Sequence, residues 1–225
     1  LNQITKSNID GGAASFLLRE GGTMGDLWTK NVIKKDEDGN YLVNAGGKLE
    51  IAALSQKVGS VLPKYTLSMN NDFRYKGINL GLLFTGRIGG ICYSATQANM
   101  DMYGVSEASA AARDAGGVLV NGRARVDAET WYTTVGAQSG VPQYYTYDAT
   151  NVRLQELSVG YTIPRKWLRV CDLTVSLVGR NLWMMYCKAP FDPESVASTE
   201  NFYTGIDYFM MPSTRNIGFN VNIKF

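Results

Sequence analysis

The last ten residues, Asn216-Ile217-Gly218-Phe219-Asn220-Val221-Asn222-Ile223-Lys224-Phe225, decide the fold class. Ile217, Phe219, Val221, Ile223 and Phe225 are apolar, and every residue between them is polar or glycine. A strand sends successive side chains to opposite faces, so strict period-two alternation gives one greasy face and one wet face. On a helix the same residues would scatter around the axis.

The pattern recurs upstream. From Tyr65 to Tyr75 the even positions Thr66, Ser68, Asn70, Asp72 and Arg74 are all polar, and the odd positions are apolar except Asn71. Ile78, Leu80, Leu82 and Phe84 form the next apolar set, followed by Leu157, Val159, Tyr161 and Ile163, and then Leu173, Val175 and Leu177. Each segment is about ten residues long, the length with which a tilted strand crosses a bilayer. Soluble sandwiches also alternate, so connection lengths have to separate the two readings. Tyr75-Lys76-Gly77-Ile78 is a tight turn, and Pro164 to Asp172 is short. The stretches of about 20–63, 87–151 and 186–214 are long. Long and short connections therefore alternate, as in outer-membrane barrels with short periplasmic turns and long extracellular loops. Tyr75, Tyr161, Trp167 and Phe225 fall at short-turn ends and Trp183 and Tyr186 at a long-loop end, in the manner of two interfacial girdles.

The expected fold is all-β: a transmembrane antiparallel β-barrel of which this chain, 1–225, carries C-terminal strands. Five strands cannot close a membrane barrel, whose minimum is about eight, and an open sheet in lipid leaves backbone groups unsatisfied. The remainder must come from the same polypeptide or from identical chains. A weak strand pair is expected near Ala14 to Leu18.

Composition narrows the function classes. The 225 residues carry 22 basic and 20 acidic side chains, net +2, which gives no electrostatic case for nucleic acid. Charged residues are 19%, below the roughly 25% of a typical soluble domain, and 45% hydrophobic residues argue against disorder. There is no histidine, which removes the commonest general base and metal ligand. Cys92, Cys171 and Cys187 are three and widely spaced, so neither a zinc ribbon nor a disulfide framework follows. No clustered carboxylates suited to hydrolysis are visible, and the reading is not an enzyme. The N-terminus, Leu1-Asn2-Gln3-Ile4-Thr5-Lys6, shows no signal-peptide core and reads as the middle of a longer protein.

Several stretches resemble the C-terminal part of the SusC/RagA family of TonB-dependent outer-membrane transporters. They are K-V-G-S-V-L-P-K-Y-T-L-S-M-N-N-D-F-R-Y-K-G at 57–77, Y-D-A-T-N-V-R-L-Q-E-L-S-V-G-Y-T-I-P at 147–164, L-V-G-R-N-L at 177–182, A-P-F-D-P-E at 189–194 and the stretch from 205 to 225. The first 56 residues match less clearly. The resemblance implies a barrel of about 22 strands around an N-terminal plug, with neither plug nor TonB box in this chain. It implies a SusD-like surface lipoprotein as lid, TonB acting through the plug, import of oligosaccharides or peptides, and the outer membrane of a Gram-negative bacterium. The alternating C-terminal strand would then serve as the signal for barrel assembly.

Site candidates follow with their competing readings. Asp72, Arg74, Glu156 and Arg180 are expected to face the lumen, either as a polar lining or in contact with substrate. Trp131, Tyr132, Tyr144, Tyr145, Phe202 and Tyr203 in the long segments could stack on sugars or anchor a partner; equally, they could pack loops together. Asp36, Asp38 and Asn40 start like a calcium loop, but the twelfth position is Gly47 where a bidentate Glu is needed, so a turn is the better reading. Gly86-Arg87-Ile88-Gly89-Gly90 lacks the Lys-Ser/Thr of a phosphate loop. E-A-S-A-A-A-R-D-A-G-G at 107–117 predicts a short helix ended by glycine. No cofactor is implied. The competing functions are a secreted carbohydrate-binding β-sandwich and a surface barrel that does not transport. The sandwich would need Leu67, Leu80, Val159, Val175 and Val221 packed against one another across two sheets.

Overall fold

The computed structural model describes residues 3–8, 14–136, 140–197 and 204–224. Its strands are β1 (Gln3–Asn8), β2 (Ala14–Arg19), β3 (Asp26–Ile33), β4 (Ile51–Ser60), β5 (Tyr65–Tyr75), β6 (Ile78–Ile88), β7 (Ile91–Ser94), β8 (Val118–Val120), β9 (Ala124–Val126), β10 (Thr146–Asp148), β11 (Asn151–Ile163), β12 (Asp172–Cys187), β13 (Ile206–Asp207) and β14 (Asn216–Lys224). The helices are α1 (Ala95–Met102), α2 (Glu107–Asp114), α3 (Ala128–Val135) and the single turn α4 (Arg165–Leu168). The chain divides into two units, each made of three separate stretches of sequence.

One unit comprises Pro63–Gly89, Ala149–Pro193 and Met211–Phe225. It is a five-stranded antiparallel sheet in the order β14-β12-β11-β6-β5. The period-two segments of the sequence build all five strands. Register carries the alternation across the whole sheet. Phe73, Leu80, Val159, Leu177 and Phe219 form one cross-strand row, and Tyr75, Ile78, Tyr161, Val175 and Val221 form another. On the opposite face, Asp72, Gly81, Ser158, Val178 and Gly218 line up, next to Arg74, Asn79, Gly160, Ser176 and Asn220. A slip of one residue on any strand would put its apolar set among the polar rows, so the pattern fixes the register.

The β5–β6 hairpin is closed by Lys76 (φ 47°) and Gly77 (φ 88°). Positive φ at both central residues is the type I′ arrangement, whose twist matches that of the flanking strands. A Cβ on Gly77 would lie 2.9 Å from the Thr162 carbonyl oxygen, and the Gly77 carbonyl accepts a 2.7 Å hydrogen bond from Thr162 N–H. Gly77→Ala is expected to destabilise the hairpin by about 1–3 kcal/mol. Lys76→Asn, which suits positive φ better, should be neutral or slightly stabilising. Thermal unfolding in detergent checks both. In the other short connection, α4 ends at Arg169 with φ 62°, and Arg165 N–H donates to the Asp172 carboxylate.

The second unit comprises Leu1–Leu62, Gly90–Asp148 and Glu194–Met210. It contains the sheet β1-β2-β3-β4, the sheet β10-β7-β13 and the hairpin β8-β9. The stretch of about 20–63, expected as a loop, holds β3 and β4; the strand pair expected near Ala14 is β2 with β1 and β3. The expected helix at 107–117 is α2, followed by Gly116 and Gly117, both at positive φ; α1 and α3 flank it in sequence. All three helices begin at a capping side chain, with Ser94, Ser106 and Asp127 accepting from Gln97, Ser109 and Thr130 N–H.

Buried apolar clusters belong to this second unit. One gathers Ile33, Leu49, Ala98, Val120, Trp131, Tyr145 and neighbours; the other gathers Ala14, Phe16, Leu27, Val61, Ala95 and Ile206. Neither contains a residue of the five-stranded sheet.

Candidate functional site

The apolar face of the five-stranded sheet is exposed where a water-soluble protein would bury it. Phe73 is 57% exposed, Leu177 59%, Ile217 74% and Phe219 81%. Monomeric soluble proteins rarely leave a contiguous patch of this kind uncovered. The five residues that a sandwich would bury between two sheets, Leu67, Leu80, Val159, Val175 and Val221, share this one face of one sheet, and all but the half-buried Leu80 are exposed. Tyr65 and Tyr75 bound the face on β5. Ten residue steps at about 3.3 Å, tilted by about 40°, give a height near 25 Å, the apolar band of outer-membrane barrels. No described helix is long and apolar enough to cross a membrane; crossing would fall to the strands.

Ile217, Phe219, Val221 and Ile223 lie on that face along β14, at one edge of the sheet. Phe225 lies outside the described residues. The other edge is β5.

The opposite face carries all four residues expected to look into the lumen. Glu156 on β11 and Arg180 on β12 are register partners, with Arg180 Nε 2.9 Å from Glu156 Oε2. Both side chains are well hydrated, so the pair contributes at most about 1 kcal/mol. Asp72 and Arg74 stand on β5; Asp72 accepts from Asn70 Nδ2 at 3.1 Å, and Arg74 pairs in register with Asn79. Asn79 Nδ2 donates to Thr162 Oγ1 at 2.8 Å, which contacts Thr174 Oγ1 at 2.9 Å. The face is polar and hydrogen-bonded, and the structure unites only Glu156 and Arg180 among the four.

A second cluster joins three of the stretches that carry the family resemblance, and sequence reasoning missed it. Arg153 on β11 is 3% exposed. Its guanidinium forks onto Asp192, with Nη2–Oδ1 at 2.7 Å and Nη1–Oδ2 at 3.1 Å. It also donates to Asn151 Oδ1 at 3.3 Å and Asn181 Oδ1 at 3.5 Å. Asn181 sits at φ 52° where the β11–β12 register shifts, a left-handed conformation that asparagine tolerates better than most residues. The fork ties the chain after β12 back to the polar face. Only the pairing of opposite charges at two motif positions hinted at it.

The long-segment candidates divide. Trp131 (3% exposed), Tyr132 (7%) and Tyr145 (1%) are interior and share one apolar cluster, and Tyr132 also lines a cavity. Tyr144 is half-exposed and meets Trp131 edge-on at 5.9 Å and Tyr145 at 5.1 Å. Burial pushes the Tyr145 phenol far above its ordinary range, with the Asp101 carboxylate beside it adding to the shift. Phe202 and Tyr203 lie outside the described residues. In the calcium-like stretch, Asp36 accepts from Asn40 N–H at 2.8 Å and Asn40 Nδ2 at 3.0 Å; those bonds hold its carboxyl below the usual value. Asp36 and Asn40 thus close a turn on themselves, with the exposed Asp38 between them. Among the described residues no three His, Cys, Asp or Glu side chains converge to hold a metal ion.

Asp26 on β3, 2% exposed, meets Lys57 Nζ at 2.6 Å and the Thr23 hydroxyl. Burial alone would raise its pKa, but the Lys57 and Thr23 bonds outweigh burial and lower it below 3.8. A depressed carboxyl stabilises the fold above its unfolded value and loses that contribution as pH falls through the folded one. Acid titration of stability should therefore steepen below pH 3.8, and Asp26→Asn should remove that part of the dependence.

No family model matches the chain. It is 28% identical over 200 residues to TonB-dependent receptor P3 of Formosa agariphila, covering 84% of this chain and 19% of that protein. Among solved structures, it superposes on the RagAB peptide transporter with a TM-score of 0.60 at 16% identity, covering 100% of this chain and 24% of that one. For the RagAB peptide importer in its closed-closed state the TM-score is 0.55 at 17% identity, covering 94% and 26%. The chain thus spans about a fifth to a quarter of these relatives' length. In fold it is a stretch of an antiparallel β-barrel like that of RagA, and by sequence and structure together the chain is SusC/RagA-like, similar to part of a TonB-dependent transporter.

Proposed function

We propose that this chain forms the C-terminal part of the barrel wall of an outer-membrane transporter for bulky nutrients, oligosaccharides or peptides, in a Gram-negative bacterium. The observation that carries this reading is the five-strand apolar face left open to solvent opposite a polar, hydrogen-bonded face. Hydrocarbon is the medium in which that arrangement is stable, because an apolar face then needs no protein cover. Gly90–Asp148 and Glu194–Met210 fall within the long connections, which the barrel reading assigns to the extracellular side. A plug in the bore driven by TonB, and a SusD-like lipoprotein over the mouth, complete the proposed machine.

The wall's role is passive and physical. Its polar face keeps the bore wet, and its apolar face anchors it in the bilayer. Expressed in a Gram-negative host, the intact protein should fractionate with the outer membrane and migrate differently before and after boiling. Uptake of a labelled peptide or oligosaccharide should disappear when TonB is deleted. A water-soluble monomer that needs no detergent would overturn the barrel; an outer-membrane protein with TonB-independent uptake would overturn active transport and leave a non-transporting or passive barrel.

A further inference from the structure

A cavity of about 360 Å³ opens among the end of α1, α2 and the start of α3, within the second unit. Its walls include Asp101, Ser109, Arg113, Glu129, Tyr132 and Thr133. The volume falls in the range of small-molecule sites. Asp101 is the unusual member. It is 2% exposed, yet the described residues give its carboxylate no ion pair. Gln97 Nε2 donates to Oδ1 at 2.8 Å, and the nearby arginine is engaged elsewhere, with Arg113 Nη1 on the Gly104 carbonyl at 2.8 Å. A buried carboxylate is normally paired with a cation or fully hydrogen-bonded, since desolvation is otherwise costly. The Tyr145 phenol lies beside the Asp101 carboxylate, and Tyr103 and Tyr132 are the aromatic residues on the cavity wall. Aromatic faces around a carboxylate suit an incoming cation. Two carboxylates against one arginine leave the cavity wall net negative.

We propose that this cavity binds a primary ammonium group, that of a lysine side chain or a peptide amino terminus, with Asp101 as its counter-ion and Glu129 at the rim. Binding does not depend on the transport reading; only the cavity's position on the cell surface does.

Isothermal titration of the intact protein in detergent tests it with three probes: N-acetyl-lysine amide, norleucine amide with a free amino terminus, and the uncharged N-acetyl-norleucine amide. One or both ammonium probes should bind, identifying side chain or terminus as the source, and the neutral probe should not. Asp101→Asn should weaken binding by at least about tenfold, as loss of one member of a buried charge pair does. Should Asp101→Asn fail to fold, the exposed Glu129→Gln remains informative and should weaken binding severalfold; Arg113→Gln, which removes the competing cation, should tighten it. Equal binding of charged and neutral probes, no binding of any probe up to about 10 mM, a range in which weak single-group contacts are still seen, or a well-folded Asp101→Asn protein with unchanged affinity would each overturn the proposal.

Discussion

Replacing Leu82 with arginine is expected to destabilise the folded barrel by about 2–4 kcal/mol, the cost of a basic side chain at the bilayer midplane. Leu82 lies mid-strand on β6, in the apolar row with Asn71, Leu157, Gly179 and Ile217. The matched control is Asn220→Arg, on the polar face of β14, which should change stability by less than about 0.5 kcal/mol. Urea unfolding in lipid vesicles, followed by the mobility shift on boiling, measures both. The contrast between faces is the discriminating quantity. In a sandwich both substitutions would be judged by protein packing. In a barrel the penalty on Leu82 should shrink for positions nearer Tyr65 or Tyr75, because the cost is depth-dependent. Equal effects at Leu82 and Asn220 would remove the case for lipid on the apolar side.

Breaking the Arg153–Asp192 fork should be as damaging. Asp192→Asn leaves a guanidinium 4% exposed without its carboxylate, and removing one partner of a buried pair costs about 3–5 kcal/mol. The double replacement Arg153→Met with Asp192→Leu should recover much of the loss, since two apolar groups leave no orphaned charge. The single variant should also become more susceptible to protease between 188 and 197, where the fork holds the chain against the sheet. If the single and double variants are equally unstable, the fork is not the source of the stability, and packing at Arg153 is.

These two predictions mark what could and could not be read from the sequence. The sheet was legible because period two is a local signal that needs no knowledge of the partner strand. Tyr65–Tyr75 matches its strand end to end, and Lys76-Gly77 announces its turn chemistry. Even there, β11 and β12 run further toward the long connections than the alternation reached, because the register shifts near Gln155 and Asn181 interrupt it. The Arg153–Asp192 fork joins residues 39 apart in sequence, with a strand and a turn between them, and no periodicity connects them. The stretch of 20–63 looked irregular because neither β3 nor β4 alternates strictly between apolar and polar residues, so neither face is uniformly apolar. For Trp131, Tyr132 and Tyr145, residue type alone left packing and ligand stacking equally open, because burial is set by tertiary contacts that no local pattern encodes. Asp101 gave no signal at all, since an isolated aspartate in a helical segment reads as surface until its surroundings are known.

The inner rows of the sheet also have a mechanical meaning. Gly81, Ser158, Gly160, Ser176 and Gly218 carry almost no side chain, and they occupy neighbouring rows of the polar face. If this face lines a conduit, as proposed, a wall so low-profiled does not narrow it. Within the transporter reading, a stopper or cargo sliding past it meets mostly hydroxyls, amides and peptide backbone. Few charges must be stripped of water at any step, so friction along the lining stays small while its hydration is kept.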